Sequence, residues 1–256
     1  MSDIWYGIYG KPYEGSEPAF FDMPAFEGAD ILLENYPKIL KALGPLMADE
    51  NTELKPYFDD NLQFPPKNWK SIGFYFWGRK NYANTKRFPE LDEIFQKVPG
   101  LVSAVFNMLE PHSRIKPHYG DTSAVYRVHL GIKIPAGLPE CGFVVKGETR
   151  PWKNGEMLVF LDANYHEAFN DSDERRYILL LDIIRPEFSK RKRQVCVKVL
   201  SILTAYYFLA LMPTVNKYAD RIPKSSLIIL LFPFMAAWYI YLLLQQGVLS
   251  LKNRFA

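Results

Sequence analysis

From Leu101 onward, apolar and polar positions fall into short blocks separated by turn residues. The blocks read "LVSAVFNML", "SAVYRVHLGIKI", "GFVVKGET", "GEMLVFL" and "RYILLLDII", with Pro-Ala-Gly, Lys-Gly-Glu and Asn154-Gly155 between or beside them. Several short strands at such spacing predict a mainly β domain, a sandwich or small barrel, the double-sheet jelly roll included. Upstream the period changes. Residues 28–48 carry Ile31, Leu32, Tyr36, Ile39, Leu40 and Leu43 at helical spacing, with Pro37 as a local disturbance. Residues 66–100 combine an aromatic-rich extended stretch, "SIGFYFWGRK", with a short helix, "PELDEIFQKVPG", opened by Pro89 and closed by Gly100.

The end of the chain differs in kind. Val199 to Asn216 carries no charge, and after "KYADRIPK" a second uncharged stretch runs from Ser225 to Leu251. A bilayer-spanning helix needs roughly 20 apolar residues, so the second run is long enough and the first becomes so if Lys198 snorkels. This predicts a transmembrane helical hairpin; a buried helical hairpin packed on the domain or on a partner is the alternative. Lys190, Arg191, Lys192, Arg193 and Lys198 precede the first run, and Lys252 and Arg254 follow the second. The positive-inside rule then predicts an integral membrane protein with both termini and the soluble domain facing the cytoplasm. The same basic cluster attracts anionic headgroups. Three parts follow: residues 1–100 as a helical and extended segment on the core, 101–188 as the β core, and 189–256 as a basic linker with the membrane hairpin.

Composition narrows the classes. The 256 residues suit one ordinary domain plus something small, and a formal charge of +3 without a basic stripe argues against nucleic acid. Cys141 and Cys196 are the two cysteines, too few for a disulfide framework. The opening "MSDIWYGIYGKPYEG" lacks the basic start and apolar core of a signal peptide.

Of the four histidines, His118 stands in a "PHYG" turn leading into a strand, and His166 follows the strand "EMLVFL". Two imidazoles brought together offer neutral nitrogen donors that suit iron. The two-residue period puts Arg127, His129 and Gly131 on one face, and Arg176 with Ile178, Leu180 and Asp182 on another. An arginine pointing into an apolar barrel needs an anion. That anion is either a dicarboxylic ligand held bidentately or an internal carboxylate such as Asp182.

These residues carry a resemblance. "PHYG", "YRVHLGI", "ETRPWKNGEMLVFLD" and "YHEAFNDSDERRYILLLDIIRPEF" are similar, in order and spacing, to the motifs of the aspartyl/asparaginyl β-hydroxylases. The similarity runs from about Asn107 to Phe188, with a weaker part reaching back to Asn35. It implies a double-stranded β-helix, cupin-like core and a dioxygenase using Fe(II), O2 and 2-oxoglutarate as co-substrate. It also implies that His118 and His166 are the catalytic metal ligands, that Arg176 binds the distal carboxylate of 2-oxoglutarate, and that Arg127 and His129 contact the co-substrate nearer the metal. Asn107 falls where the family can have a small polar residue at the co-substrate. Gly120 stands where many such sites carry a carboxylate ligand, as it does in the protein-modifying branch, whereas related lipid A hydroxylases have aspartate. Asp121 is a rival third ligand that the strand period turns away from His118.

Two substrates fit the chemistry of hydroxylating an unactivated C–H bond: a membrane-lipid acyl chain, favoured by the hairpin, or aspartyl and asparaginyl side chains of proteins, favoured by Gly120. A non-catalytic, cupin-like, membrane-anchored binding module is the reading from a different class.

Overall fold

In the computed structural model the residues described are 3–7, 12–22, 25–48, 53–57, 59–210 and 233–245. The alternating blocks become strands. In chain order they are β1 (Lys55–Pro56), β2 (Gln63–Phe64), β3 (Trp69–Phe76), β4 (Arg79–Lys80), β5 (Leu101–Leu109), β6 (Ser113–His118), β7 (Val125–Lys133), β8 (Cys141–Val145), β9 (Glu148–Arg150), β10 (Met157–Leu161), β11 (His166–Asn170) and β12 (Arg176–Ile184). The helices are α1 (Ala29–Glu34), α2 (Tyr36–Leu43), α3 (Tyr82–Arg87), α4 (Pro89–Lys97) and α5 (Lys192–Ala210).

The strands form two antiparallel sheets. The larger has the order β1-β3-β5-β12-β7-β10, with β4 beside β3; the smaller has the order β2-β6-β11-β8-β9. They face one another across a shared apolar layer that includes Leu109, Ile115, Phe143, Phe160, Ala168 and Ile178. This is a jelly-roll-type double sheet, the architecture the block spacing predicts.

The outer face of the larger sheet is also covered. Leu32, Ile39, Leu43, Leu91, Ile94 and Phe95 from α1, α2 and α4 pack on Ile72, Phe74, Phe106, Leu130, Leu179 and Leu181. A strand buried on both faces shows almost continuous apolar sequence instead of alternation. That accounts for β5 and β12, whose residues are nearly all buried. The parity survives underneath: Tyr177, Leu179, Leu181 and Ile183 face the helices, while Arg176, Ile178 and Leu180 face the interior cavity.

The structure departs from the sequence reading in several places. The helix expected over 28–48 is two helices, because the chain breaks at Asn35 and Pro37, which has no backbone N–H to give, sits in the first turn of α2. The boundary at Leu101 does not separate two units: β3 runs along β5, and β2 along β6, so residues before 101 complete both sheets. β6 and β11 have weak apolar signals, and neither reads as a strand from composition. The basic stretch expected as a linker is a 3-10 turn (Pro186–Arg191) running into α5.

α5 begins against the domain. Val195, Cys196, Val199 and Leu200 are buried with Trp77, Val102, Ala124, Ile184 and Phe188 over one end of the barrel, and Leu242 joins them from the helical stretch 233–245. Among the described residues no helix is long and apolar enough to cross a membrane. Residues 211–232 and 246–256 of the predicted hairpin lie outside the described residues. The N-terminal segment straps the barrel, with Tyr6 packed on the same cluster: Gly7 N donates to Asp121 O (2.9 Å), and Phe21 N to Val159 O (2.8 Å).

Phe106 is fully buried in the layer between sheet and helices, with its ring stacked on Tyr177 at 5.6 Å. Phe106→Ala should therefore cost about 3–5 kcal/mol of folding stability. Urea unfolding of the two proteins measures it, and an unchanged midpoint would show that the helical layer collapses onto the gap.

Candidate active site

His118 is the last residue of β6 and His166 the first of β11, and the two are direct partners across that antiparallel pair. Their ring centroids lie 4.3 Å apart. Each ring is held in the same way. His118 Nδ1 lies 2.7 Å from the carbonyl of Lys116, and His166 Nδ1 lies 2.6 Å from the carbonyl of Asn164. A carbonyl only accepts, so each Nδ1 carries the proton and each Nε2 keeps its lone pair. Burial pushes the His118 pKa down to about 4 and holds His166 well below the ordinary range, where the adjacent His118 adds to the effect. Both imidazoles are neutral at physiological pH, the state in which histidine binds a metal. Among the described residues no third His, Cys, Asp or Glu joins them in a group able to hold a metal. His112 is elsewhere, exposed and 3.0 Å from Asp173.

Gly120 is explained by its neighbour. A Cβ at this position would run into the carboxylate and the backbone carbonyl of Asp162. Asp162, which follows β10, fixes the turn after His118: Gly120 N donates to its carbonyl (3.0 Å) and Asp121 N to its Oδ2 (2.6 Å). The space a carboxylate ligand would need at 120 belongs to Asp162. The Asp121 side chain turns to Arg127 and Asp182, whose charges bear on its pKa, and not to the histidines.

The two arginines have different fates. Arg127 stands directly opposite Asp182 on neighbouring strands. Its Nε donates to Asp182 Oδ1 (2.8 Å) and its Nη2 to Oδ2 (3.2 Å), while Nη1 pairs with Asp162. Of the two readings of Arg127, contact with the co-substrate or pairing with an internal carboxylate such as Asp182, the pairing is present, and the side chain also lines the cavity. Burial, with the other carboxylates close by, raises Asp162 and Asp121 above the usual carboxylate range.

Arg176 has no such partner. It is 1 % exposed, its Nε has no hydrogen-bond partner, and no carboxylate among the described residues pairs with it. Its guanidinium lies 4.5 Å from the centre of the Trp152 ring, and burial pushes its pKa down to about 10. A buried cation left without an anion is costly. Trp152 Nε1 also donates to His129 Nδ1 at 3.4 Å, which leaves the His129 proton on Nε2. Burial, with Arg176 and Arg127 close by, holds His129 well below its ordinary pKa and so neutral.

His118, His166, His129, Arg127, Arg176 and Asn107 line one cavity between the sheets, with ≈ 420 Å³ of space not filled by atoms, part of it open to solvent. Asn107 is held by Trp69, whose Nε1 donates to its Oδ1 (3.0 Å), and its own Nδ2 donates to Val105 O (3.2 Å). From Trp69, Asn107 and Arg127 a second, wider groove continues along β3, lined by Tyr57, Phe74, Tyr75, Phe76 and Val105 and reaching Leu203 of α5.

Asp162, Trp152 and Trp69 escaped the sequence reading. For Asp162 a signal was present, since the alternation of β10 carried two residues beyond Phe160 puts position 162 on the inner face. Nothing local marks the two tryptophans, because their partners come from other strands.

The donor set fits a divalent metal beside a bound carboxylate. The sequence model of the family described as aspartyl/asparaginyl beta-hydroxylase matches residues 33–186. The chain is 30% identical over 178 residues to an ornithine lipid ester-linked acyl 2-hydroxylase of Rhizobium tropici, covering 66% of this chain and 61% of that one. It is 28% identical over 167 residues to the aspartyl/asparaginyl beta-hydroxylase of Mus musculus, covering 63% of this chain but 22% of that one. Among solved structures, a prolyl-4-hydroxylase of Pseudomonas putida aligns over 61% of this chain and 87% of its own, with 14% identity and a TM-score of 0.38. A match that takes in both histidines, both arginines and most of the two sheets makes this chain a member of the aspartyl/asparaginyl β-hydroxylase family.

Proposed function

We propose that the protein is an Fe(II)- and 2-oxoglutarate-dependent hydroxylase acting on an unactivated C–H bond in the acyl chain of a membrane lipid. One observation carries the reading: a single cavity holds two neutral histidines with free Nε2 atoms and a buried guanidinium that lacks an anion. His118 and His166 would hold the iron. Arg176 would take the distal carboxylate of the co-substrate, and the Nε2–H of His129 and the polar edge of Asn107 would help to orient it. When bound together, iron and 2-oxoglutarate supply the activation of O2, with the co-substrate oxidised to succinate and carbon dioxide. The chain's own work is to exclude water with Phe143, Phe160 and Trp152, and to hold every polar group of the cavity in one protonation state.

The lipid substrate is supported by the groove that adjoins the cavity. Its aromatic walls suit an aliphatic chain, and it ends at α5, where the uncharged part of the sequence begins. The Rhizobium tropici relative, named for an acyl 2-hydroxylase, is in line with it. Anchoring by the C-terminal runs, with the barrel on the cytoplasmic side, belongs to the same proposal. Gly120 and the relatives named for protein hydroxylation favour a second reading, in which aspartyl or asparaginyl side chains are the substrate.

Mass spectrometry of total membrane lipids from cells making the wild type or His118→Ala separates them. A lipid class that gains one oxygen atom with the wild type alone is the expected result. Consumption of 2-oxoglutarate with no lipid change would transfer the assignment to proteins.

Three variants, with His112→Ala as the control, test the site itself. His166→Ala should abolish 2-oxoglutarate turnover, whereas His112→Ala should leave most of it; equal losses would remove His166 from the ligand set. Arg176→Ala should weaken 2-oxoglutarate binding by about 2–5 kcal/mol, a factor of thirty or more, with Fe(II) binding little changed. Isothermal titration measures both, and an unaltered co-substrate affinity would make Arg176 structural. Gly120→Asp should not create a third ligand. It should displace Asp162, lower stability by about 1–3 kcal/mol and leave Fe(II) affinity no higher; tighter iron binding in that variant would overturn the packing account of the glycine.

A further inference from the structure

A further cleft lies away from the histidines, where α5 and the 233–245 helix meet the β3–β4 hairpin. Lys80, Lys190, Lys192 and Arg193 line it, and no aspartate or glutamate does. With its open side it encloses ≈ 1370 Å³. Two of these cations are already engaged: Lys80 Nζ pairs with Asp92 at 2.6 Å, and the Arg193 guanidinium lies over the Tyr239 ring. Lys190 and Lys192 have no carboxylate partner among the described residues. Lys192 is also half-buried, and burial pushes its pKa down, the direction in which an incoming anion would be stabilising. Leu101 and Leu242 give the same cleft an apolar wall.

We propose that this cleft binds the phosphate of an anionic phospholipid headgroup, with Lys190 and Lys192 as the charge and the leucine wall against the aliphatic part of the same lipid. Its position favours a lipid over a free anion. The basic residues stand at the start of the helix that leads from charged sequence into the uncharged run beginning at Val199. This rests on the anchoring proposed above, under which the turn and first residues of α5 lie near the level of the bilayer phosphates. None of its residues lines the histidine cavity, although Tyr75 and Lys80 also border the groove along β3. A lipid held here would tie the barrel to the bilayer.

The test uses the full chain in detergent micelles, titrated with phosphatidylglycerol or with phosphatidylcholine and followed by native mass spectrometry. Wild type should retain phosphatidylglycerol in preference to phosphatidylcholine. At about 1 kcal/mol per basic residue, K190Q/K192Q should bind phosphatidylglycerol about thirtyfold more weakly. Phosphatidylcholine binding should not change, and K190R/K192R should stay near wild type. K190Q alone, at an exposed position, should lose about fivefold and serves where the double variant does not fold. Equal phosphatidylglycerol retention by K190Q, or by a folded K190Q/K192Q, would overturn the proposal. Displacement of phosphatidylglycerol from wild type by inorganic phosphate at comparable concentration would overturn it too, since the site would then be one for the free anion.

Discussion

The contact on which the site depends is the ion pair between Arg127 and Asp182, extended by Asp162. Direct opposition on β7 and β12 brings the first two together, and Asp162 reaches the same guanidinium from the end of β10. The backbone and side chain of Asp162 then fix the Gly120–Asp121 turn. That turn follows His118 directly, so the position of one histidine is tied to charges on three other strands. A buried ion pair of this kind adds little to stability when compared with apolar packing, but breaking it leaves an uncompensated charge. Its value here is geometric. It also explains Gly120, whose missing side chain is a requirement of the Asp162 carboxylate packed against it.

The same accounting of charge separates the two arginines. Both point into the sandwich, and both need an anion. Arg127 finds two carboxylates within the protein; Arg176 finds the face of Trp152 and no anion among the described residues. Arg127 is thus neutralised within the protein, whereas Arg176 is the buried cation to which the proposed co-substrate carboxylate is assigned. The neutral histidines next to it are held by carbonyls of their own strands and turns, so that their free nitrogens face the same space without competing protons.

Part of the apolarity of the C-terminal sequence has its cause in the domain itself. Val195, Cys196, Val199 and Leu200 are apolar because they seal the end of the barrel with Trp77 and Phe188. Further along, Trp238 Nε1 donates to Thr204 Oγ1 (2.8 Å), and Arg79 lies over the rings of Trp238 and Tyr241. The first part of the uncharged run is therefore accounted for by packing on the domain, as the alternative of a docked helical pair requires. Hydropathy alone does not distinguish burial in protein from burial in lipid, because both select the same side chains.

The sequence by itself determined the strands that bury both faces. β5 and β12 have the bounds read from "LVSAVFNML" and "RYILLLDII", because an uninterrupted apolar block admits few registers. It also determined which polar side chains face inward, since a period of two leaves Arg127, His129 and Arg176 nowhere else to go. The strands that carry the two histidines were not legible. β6 offers one buried aliphatic residue, Ile115, and β11 buries His166, Ala168 and Asn170, so neither has a hydrophobic pattern to read. Only the tertiary structure decided the partners. Whether an inward arginine meets an aspartate or an empty place is set by cross-strand register and by a residue 35 positions away at Asp162, and sequence spacing contains neither.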